Sequence, residues 1–138
     1  MIKKIYRAGT IPYFIENKTI KMLFMVPSDS RYGGDLPQIA KGKQEDDETL
    51  LETAFREAEE ELGLKRSNVL NFFKVGTFLG RTEIFVAKIL NFNDFNEFNY
   101  ETNRTIWLTE EEFYIHGREL HKEIIFEVVK LIKYKEDL

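Results

Sequence analysis

The sequence predicts an α/β fold in which helices pack on the faces of a mixed β-sheet. Runs of β-branched and aromatic residues closed by turn residues are typical of strands. Two further segments carry the signals of capped helices, and a third has apolar residues at helical spacing. Because the order along the chain is strands, a helix, strands and then helices, we expect a sheet covered by helices.

Length and composition are those of one globular domain. The chain has 138 residues, of which 43% are hydrophobic and 32% are charged, and a chain of this length buries roughly 68 to 70% of its unfolded surface. No repeat and no Pro-rich or Gly/Ser-rich linker interrupts the sequence. We therefore expect residues 1–138 to form a single domain.

Five segments have the pattern of β-strands, and they are residues 9–15, 19–26, 71–78, 82–90 and 104–108. The stretches "ENK" and "LGR" predict hairpin turns that join the first two strands and the next two. The Asn-rich stretch "NFNDFNEFNY" at 91–100 has no β-branched residue and predicts an ordered loop. Its phenylalanines are expected either to pack on the core or to stack on a nucleobase.

Two capping boxes predict where helices begin. Thr49 with Glu52, and Thr109 with Glu112, each combine a hydroxyl with a glutamate three residues on. The first helix is expected to cover Leu50–Leu62, to stop at Gly63, and to face the core with Leu51, Ala54, Phe55, Ala58 and Leu62. A third helix is expected over residues 118–135, with its apolar stripe formed by Leu120, Ile124, Ile125, Val128, Leu131 and Ile132.

Charge and cysteine content narrow the classes of function. The formal net charge of -4 argues against a nonspecific nucleic-acid coat, which needs a broad basic surface. The absence of cysteine excludes thiol nucleophiles and Cys-ligated metals, so any metal must bind to oxygen or imidazole. The longest apolar run, residues 22–26, is too short to cross a membrane, and the chain is expected to be cytoplasmic.

The first predicted helix carries an unusual concentration of carboxylates. Nine of the seventeen residues from Glu45 to Glu61 are acidic, and Arg56 is the one basic residue among them. Helical spacing places Glu57, Glu60 and Glu61 on one side, where they repel one another unless a cation lies between them. Such a run indicates either a solvated helix face or a site for a hard cation such as Mg²⁺, in which Arg56 would orient a carboxylate.

The spacing around this helix resembles the Nudix box. Gly42 is followed after five residues by Glu48 and after seven more by "REAEEELGL", which fills every fixed position of that motif. The resemblance implies an α/β/α sandwich with a mixed sheet and a pyrophosphohydrolase of nucleoside diphosphate derivatives that uses Mg²⁺ or Mn²⁺. It also implies a set of site residues: Glu57, Glu60 and Glu61 as metal ligands, Arg56 and Glu48 as orienting residues, and Lys41, Gly42 and Lys43 as substrate contacts.

The resemblance further implies a carboxylate outside the helix, a few residues before a tryptophan. Glu101 lies six residues before Trp107 and is our candidate for the distal metal ligand or catalytic base, with Glu97 as its rival. We expect Glu60 and Glu61 to face solvent when no ligand is bound. His116 and His121 are expected to have surface or capping roles rather than catalytic ones.

Substrate choice is the least determined part of the prediction. The segments "AKGK" and "WLTEEE" are similar to those of dinucleoside polyphosphate hydrolases and of RNA 5′-pyrophosphohydrolases, and the first class is our preferred prediction. The residues "QIA" before Lys41 depart from the dinucleoside polyphosphate pattern. ADP-ribose or (d)NTP hydrolysis, and a catalytically silent nucleotide-binding module, are the alternatives. The partner is expected to be a small nucleotide or an RNA 5′ end, bound by a monomer or homodimer.

Overall fold

The computed structural model describes residues 4–138, and it contains six strands and three α-helices within that range. The strands are β1 (Arg7–Glu16), β2 (Thr19–Pro27), β3 (Ala40–Lys43), β4 (Val69–Phe78), β5 (Thr82–Ile89) and β6 (Thr102–Leu108). The helices are α1 (Leu50–Leu62), α2 (Glu110–His116) and α3 (Lys122–Glu136). Short 3₁₀ turns at Arg66–Asn68 and Glu119–His121 precede β4 and α3.

The strands form one mixed sheet in the order β4-β5-β1-β2-β6, with β3 paired to β1. β1 and β5 are parallel, whereas the other pairs are antiparallel. One edge of β1 is shared by two partners, since residues 7–10 pair with β3 and residues 13–16 pair with β2. β2 therefore diverges from the start of β1, and the sheet opens where β3 is inserted.

Helices cover both faces of the sheet, so the architecture is an α/β/α sandwich. Side chains alternate across each strand, and on one face Leu23 and Met25 of β2 pack with Phe55 and Leu62 of α1. On the opposite face, Met22 and Phe24 pack with residues of α2 and α3 that include Phe113. The predicted fold class is therefore confirmed.

Local signals located most of the elements correctly. Both capping boxes form, with the hydroxyls of Thr49 and Thr109 accepting from the amides of Glu52 and Glu112. Gly63 ends α1 with a φ of 74°, in the left-handed region that favours glycine. The five predicted strands are present, and both predicted hairpin turns contain residues of positive φ.

Three details of the prediction were wrong. Residues 40–43 form a strand that is absent from the five predicted ones, because β1 supplies backbone partners that a local pattern does not reveal. Residues 118–121 precede α3 instead of belonging to it, and Leu120 is 52% exposed. Leu51, in the first turn of α1, is 48% exposed and is not among the buried residues of that helix.

The Asn-rich segment is a loop, as expected, and two of its phenylalanines pack on aromatic residues. The ring of Phe92 stacks on Phe14 at 5.4 Å, and Phe95 meets Trp107 edge-on at 5.9 Å. Packing on the protein thus accounts for these two rings. Within residues 4–138, no helix has the length and apolar character needed to cross a membrane.

Candidate active site

The carboxylates of α1 differ in burial. Glu57 and Glu61 are 8% and 5% exposed, whereas the side chain of Glu60 keeps 41% of its surface. The expectation that Glu61 faces solvent was wrong. Its side chain is covered because the C-terminal half of α1 lies against the opening of the sheet and against the loop that follows β5.

Gly42 makes room for the carboxylate of Glu57. A Cβ atom added at Gly42 would overlap both oxygens and the carboxyl carbon of Glu57. The absence of a side chain on β3 therefore lets the Glu57 carboxylate lie directly on the strand backbone. A carboxylate of the chain itself thus makes the close approach to the backbone that glycine allows here.

Glu57 and Glu61 form a buried acidic pair. Burial raises the pKa of Glu61 above its usual range, and a hydrogen bond with Glu57 and the negative charges of Glu57 and Glu101 raise it further. A hydrogen bond between two carboxyl groups requires a proton on one of them, which the pair then shares. Oε2 of Glu61 is buried and has no hydrogen-bond partner among the described residues.

Arg56 holds the neighbouring carboxylates by a fork of hydrogen bonds. Its Nε and Nη2 donate to Glu48 at 3.1 and 2.8 Å, and its Nη1 donates to Glu57 at 3.0 Å and to Glu60 at 3.4 Å. Nη2 also donates to the carbonyl of Lys43, which ties α1 to β3. Hydrogen bonds from Arg56 lower the pKa of Glu48 to about 2, and those to Glu48 raise the pKa of Arg56.

Glu101 is held next to the acidic pair by backbone contacts on both sides. Its carbonyl accepts from the amide of Ser28 at 3.0 Å, and its amide donates to the side chain of Asn99 at 3.0 Å. The hydroxyl of Thr102, the next residue, donates to the carbonyl of Glu61 at 2.8 Å. The side chain of Glu101 is exposed to the cleft, as a residue that meets a ligand must be.

Glu97 lines a different part of the surface from Glu101 and Glu61. It borders a separate depression of about 280 Å³ beside Phe95 and Trp107. Glu101 is among the charges that raise the pKa of both Glu60 and Glu61. Of the two rival carboxylates, Glu101 is thus the one that shares a cleft with the acidic pair.

The cleft beside this pair has a volume of about 880 Å³ and is lined by side chains of both charges. Glu61 and Glu101 are termed its acidic wall, and Arg7, Lys41, Lys43 and Arg118 are termed its cationic wall. Burial and the positive charges of Arg118 and Arg7 lower the pKa of Lys41, while Glu61 and Glu57 oppose this shift. Lys41 is therefore within electrostatic range of both sets of charges.

Several lining residues were not found by sequence reasoning, and they are Arg7, Arg31, Tyr32, Gln38, Tyr100 and Arg118. They come from four separate segments and carry no shared spacing, so only folding brings them together. Lys41, Gly42 and Lys43, the predicted substrate contacts, line the same cleft.

The two histidines have different surroundings. His116 is exposed at the end of α2, in agreement with a surface role. His121 is fully buried, and its Nδ1 accepts from the amide of Ile39 at 3.1 Å, so the expected surface role was wrong. It occupies the N-cap position of α3, but its side chain makes no capping hydrogen bond. It forms a long-range contact because the 3₁₀ turn before α3 packs on the segment that leads into β3.

The donor set fits a hard divalent cation. The acidic groups that influence one another here are carboxylates, and Mg²⁺ prefers such oxygen ligands. Oε2 of Glu61 is a buried acceptor that lacks a donor, which a cation would satisfy. Within residues 4–138, no three acidic or histidine side chains already converge as a metal site. A cation would therefore have to displace the shared proton and reorient at least one carboxylate.

Comparison with known proteins places this geometry in a family. A family model described as the NUDIX domain matches residues 7–132. Among curated proteins, no sequence matches the chain significantly.

Solved structures with the same fold include an Ap4A hydrolase from C. elegans in a binary complex. It is 16% identical, with a TM-score of 0.74 over 94% of this chain and 98% of that chain. The NUDIX domain of Shewanella oneidensis NrtR complexed with ADP ribose is 10% identical, with a TM-score of 0.73 over 96% and 90% of the two chains. A mutT/nudix family protein from Listeria innocua is 14% identical, with a TM-score of 0.71 over 98% of both chains.

These likenesses establish the fold, and the family match extends over most of the chain and includes the complete motif on α1. The protein therefore belongs to the Nudix family and is a pyrophosphohydrolase of that family, acting on acid anhydrides.

Proposed function

We propose that the protein hydrolyses the pyrophosphate linkage of dinucleoside polyphosphates by attack of water on phosphorus. The observation that carries this proposal is the juxtaposition, in one cleft, of a buried acidic pair with an unpartnered oxygen and a cationic wall. A polyanion fits the cationic wall, and the carboxylates of the acidic wall would hold a divalent cation that neutralises phosphoryl charge.

The acidic residues have distinct roles in this proposal. Glu57, Glu60, Glu61 and Glu101 would hold Mg²⁺ or Mn²⁺, since the family generally uses divalent metals. A bound divalent cation would neutralise phosphoryl charge and acidify a coordinated water. Arg56, already bonded to Glu48, would keep Glu57 and Glu60 aimed at the cleft.

Glu101 also has the properties of a general base. Its backbone is fixed on both sides while its carboxylate stays exposed to the cleft. It would take a proton from the attacking water as the new P–O bond forms. The bridging P–O bond breaks, and the departing phosphate oxygen keeps the electron pair.

The remaining lining residues suit a nucleoside with a phosphate chain. Lys41 and Lys43 would contact phosphate oxygens, since both line the cationic wall. Tyr32 and Tyr100 line the same cleft and are 72% and 85% exposed, so each offers a ring on which a base can stack. The fold shared with the Ap4A hydrolase of C. elegans supports this substrate class. Because the fold is also shared with a NUDIX domain complexed with ADP ribose, ADP-ribose is included among the substrates to be tested.

A substrate panel tests the proposal. The panel contains a dinucleoside tetraphosphate, ADP-ribose, a dNTP and a 5′-triphosphorylated RNA, each with Mg²⁺ and with excess chelator. We expect the largest kcat/KM for the dinucleoside tetraphosphate, no turnover in chelator, and ¹⁸O from labelled water in one phosphate product. A larger kcat/KM for another substrate would reassign the substrate class. Label at carbon, or a phosphorylated protein, would reject the mechanism.

A further inference from the structure

Arg118 is anchored to the segment between β2 and β3 by its backbone and by its side chain. Its amide donates to the carbonyl of Pro37 at 2.9 Å, and its Nη1 donates to Oε1 of Gln38 at 3.0 Å. Gln38 is 4% exposed, and its Nε2 donates to the carbonyl of Tyr32 at 2.9 Å. The guanidinium is therefore held in place before any ligand arrives.

Gly33 provides the space for this pair. A Cβ atom at Gly33 would overlap Oε1 of Gln38 and lie 2.9 Å from Nη1 of Arg118. The backbone of Gly33, with a φ of 93°, thus lets the arginine cross the loop at close range.

The inserted residues "QIA" make these contacts. Gln38 binds Arg118, the amide of Ile39 donates to His121, and Ala40 begins β3. The departure from the dinucleoside polyphosphate pattern therefore has a structural consequence. It docks the turn between α2 and α3 against the cleft and brings Arg118 into its lining.

Arg118 has no carboxylate partner among the residues that the structure describes. Its side chain contacts Gln38 and lies 3.5 Å from Nε2 of His121. Since Nδ1 of His121 accepts from Ile39, a neutral His121 carries its proton on Nε2 and cannot accept from Arg118. The positive charge of Arg118 is thus uncompensated and faces the cleft.

Position along the cleft distinguishes Arg118 from Lys41. Arg118 binds Gln38, whereas the carboxylate of Glu57 lies against Gly42. Lys41 lies between Gln38 and Gly42 along the extended backbone that leads into β3. Arg118 therefore lies on the side of Lys41 away from Glu57.

We propose that Arg118 binds the phosphate farthest from the acidic pair and thereby selects ligands with three or more consecutive phosphates. This inference rests on the proposed function for the position of the reacting phosphate. A first phosphate would lie at the acidic wall, a second at Lys41 and a third at Arg118. An arginine suits this position because its planar fork can hold two phosphate oxygens at once.

Binding of inorganic tripolyphosphate and pyrophosphate to the full chain, measured by calorimetry in saturating Mg²⁺, tests the inference by affinity rather than by turnover, since the cation is what allows a phosphate to lie at the acidic wall. We expect Arg118→Gln to weaken tripolyphosphate binding by about tenfold or more, the effect of losing a hydrogen bond between charged groups. Pyrophosphate affinity should change little, and Arg118→Lys should give an intermediate loss. Circular dichroism and thermal unfolding establish that the variants are folded.

Arg31 provides the matched control, since it lines the same cleft but is already paired with Asp29 at 2.7 Å. Arg31→Gln should leave the preference for tripolyphosphate unchanged. Equal losses for Arg31→Gln and Arg118→Gln, an equal loss of both anions in Arg118→Gln, or no loss would each overturn the inference. Failure of the proposed function would appear instead as absent hydrolysis across the nucleotide panel while the tripolyphosphate preference remains.

Discussion

Oγ1 of Thr102 donates a hydrogen bond of 2.8 Å to the carbonyl of Glu61, and this bond joins the start of β6 to the last turn of α1. Two further bonds act in parallel, from the amide of Asn99 to the carbonyl of Glu60 and from the amide of Asn96 to the carbonyl of Gly63. The Asn-rich loop thus satisfies carbonyls that the end of a helix leaves free. It also fixes Glu101 beside the acidic pair.

The first prediction concerns Glu61 and metal binding. Saturating Mg²⁺ should stabilise the wild type by about 2.7 kcal/mol at one hundred times its Kd. Glu61→Gln should lose this increment and lose turnover by several orders of magnitude, because a neutral amide cannot replace the carboxylate. Glu60→Gln should likewise reduce both the stabilisation by Mg²⁺ and the turnover.

The fold of Glu61→Gln should persist, since Gln has nearly the same shape and needs no shared proton. Glu59→Gln is the matched control, because Glu59 is an exposed residue of the same helix that faces Arg66. Thermal unfolding with and without MgCl₂, together with initial rates, measures both effects. A normal Mg²⁺ shift or wild-type turnover in Glu61→Gln would exclude Glu61 from the metal site.

The second prediction separates Glu101 from Glu97. Glu101→Gln should lower kcat by roughly 10²-fold or more, the range typical of a lost general base. Glu97→Gln should be nearly silent, because Glu97 lies in a different depression beside Phe95. The measurement is kcat at saturating Mg²⁺ and substrate, and the opposite ranking would transfer the role to Glu97.

The third prediction concerns the ion pair of Glu48 with Arg56. The pKa of Glu48 falls from 4.5 to about 2 in the folded protein. Between these two pKa values, Glu48 is protonated in the unfolded chain and ionised in the folded chain. The stabilisation that the ion pair gives to the folded protein is therefore lost as the pH falls through this window.

Urea unfolding of the wild type and Glu48→Gln between pH 2 and pH 7 measures this linkage. The stability gap between them should be largest above pH 4.5 and should close as the pH approaches 2. Glu45→Gln is the control, since Glu45 lies 3.5 Å from Arg56 but keeps 67% of its side-chain surface. A gap that stays constant with pH would refute the linkage.

The fourth prediction concerns the buried His121. Burial, and then the positive charges of Lys41 and Arg118, lower its pKa from 6.5 to about 3. The unfolded chain thus binds one proton more than the folded chain between these values. Unfolding free energy should fall as pH drops through this window, by up to about 1.4 kcal/mol per pH unit.

His121→Asn should flatten this dependence, because its side-chain oxygen can accept from the amide of Ile39 without titrating. Unfolding free energies of the two proteins between pH 4 and pH 7 provide the comparison. Parallel profiles would show that protonation of His121 is not linked to folding.

The sequence alone determined the features that depend on neighbours within a few residues. Capping at Thr49, the stop at Gly63 and the shared side of Glu57, Glu60 and Glu61 follow from helical periodicity and local hydrogen bonds. The complete motif from Gly42 to Leu64 is likewise contiguous, and it was sufficient to indicate the family. Most strands were also visible, because each buries an apolar side of its own.

Only the tertiary structure decided which residues face the cleft and in what electrostatic state. β3 was missed because its hydrogen bonds come from β1, more than thirty residues away in the chain. Burial of Glu61 depends on packing of α1 against the sheet opening, and the charge of the cationic wall depends on Arg118 from the turn before α3. Long-range contacts of this kind leave no periodicity in the sequence, so the carboxylates and the two lysines beside Gly42 were visible in the sequence, whereas Arg7, Arg31 and Arg118 were not.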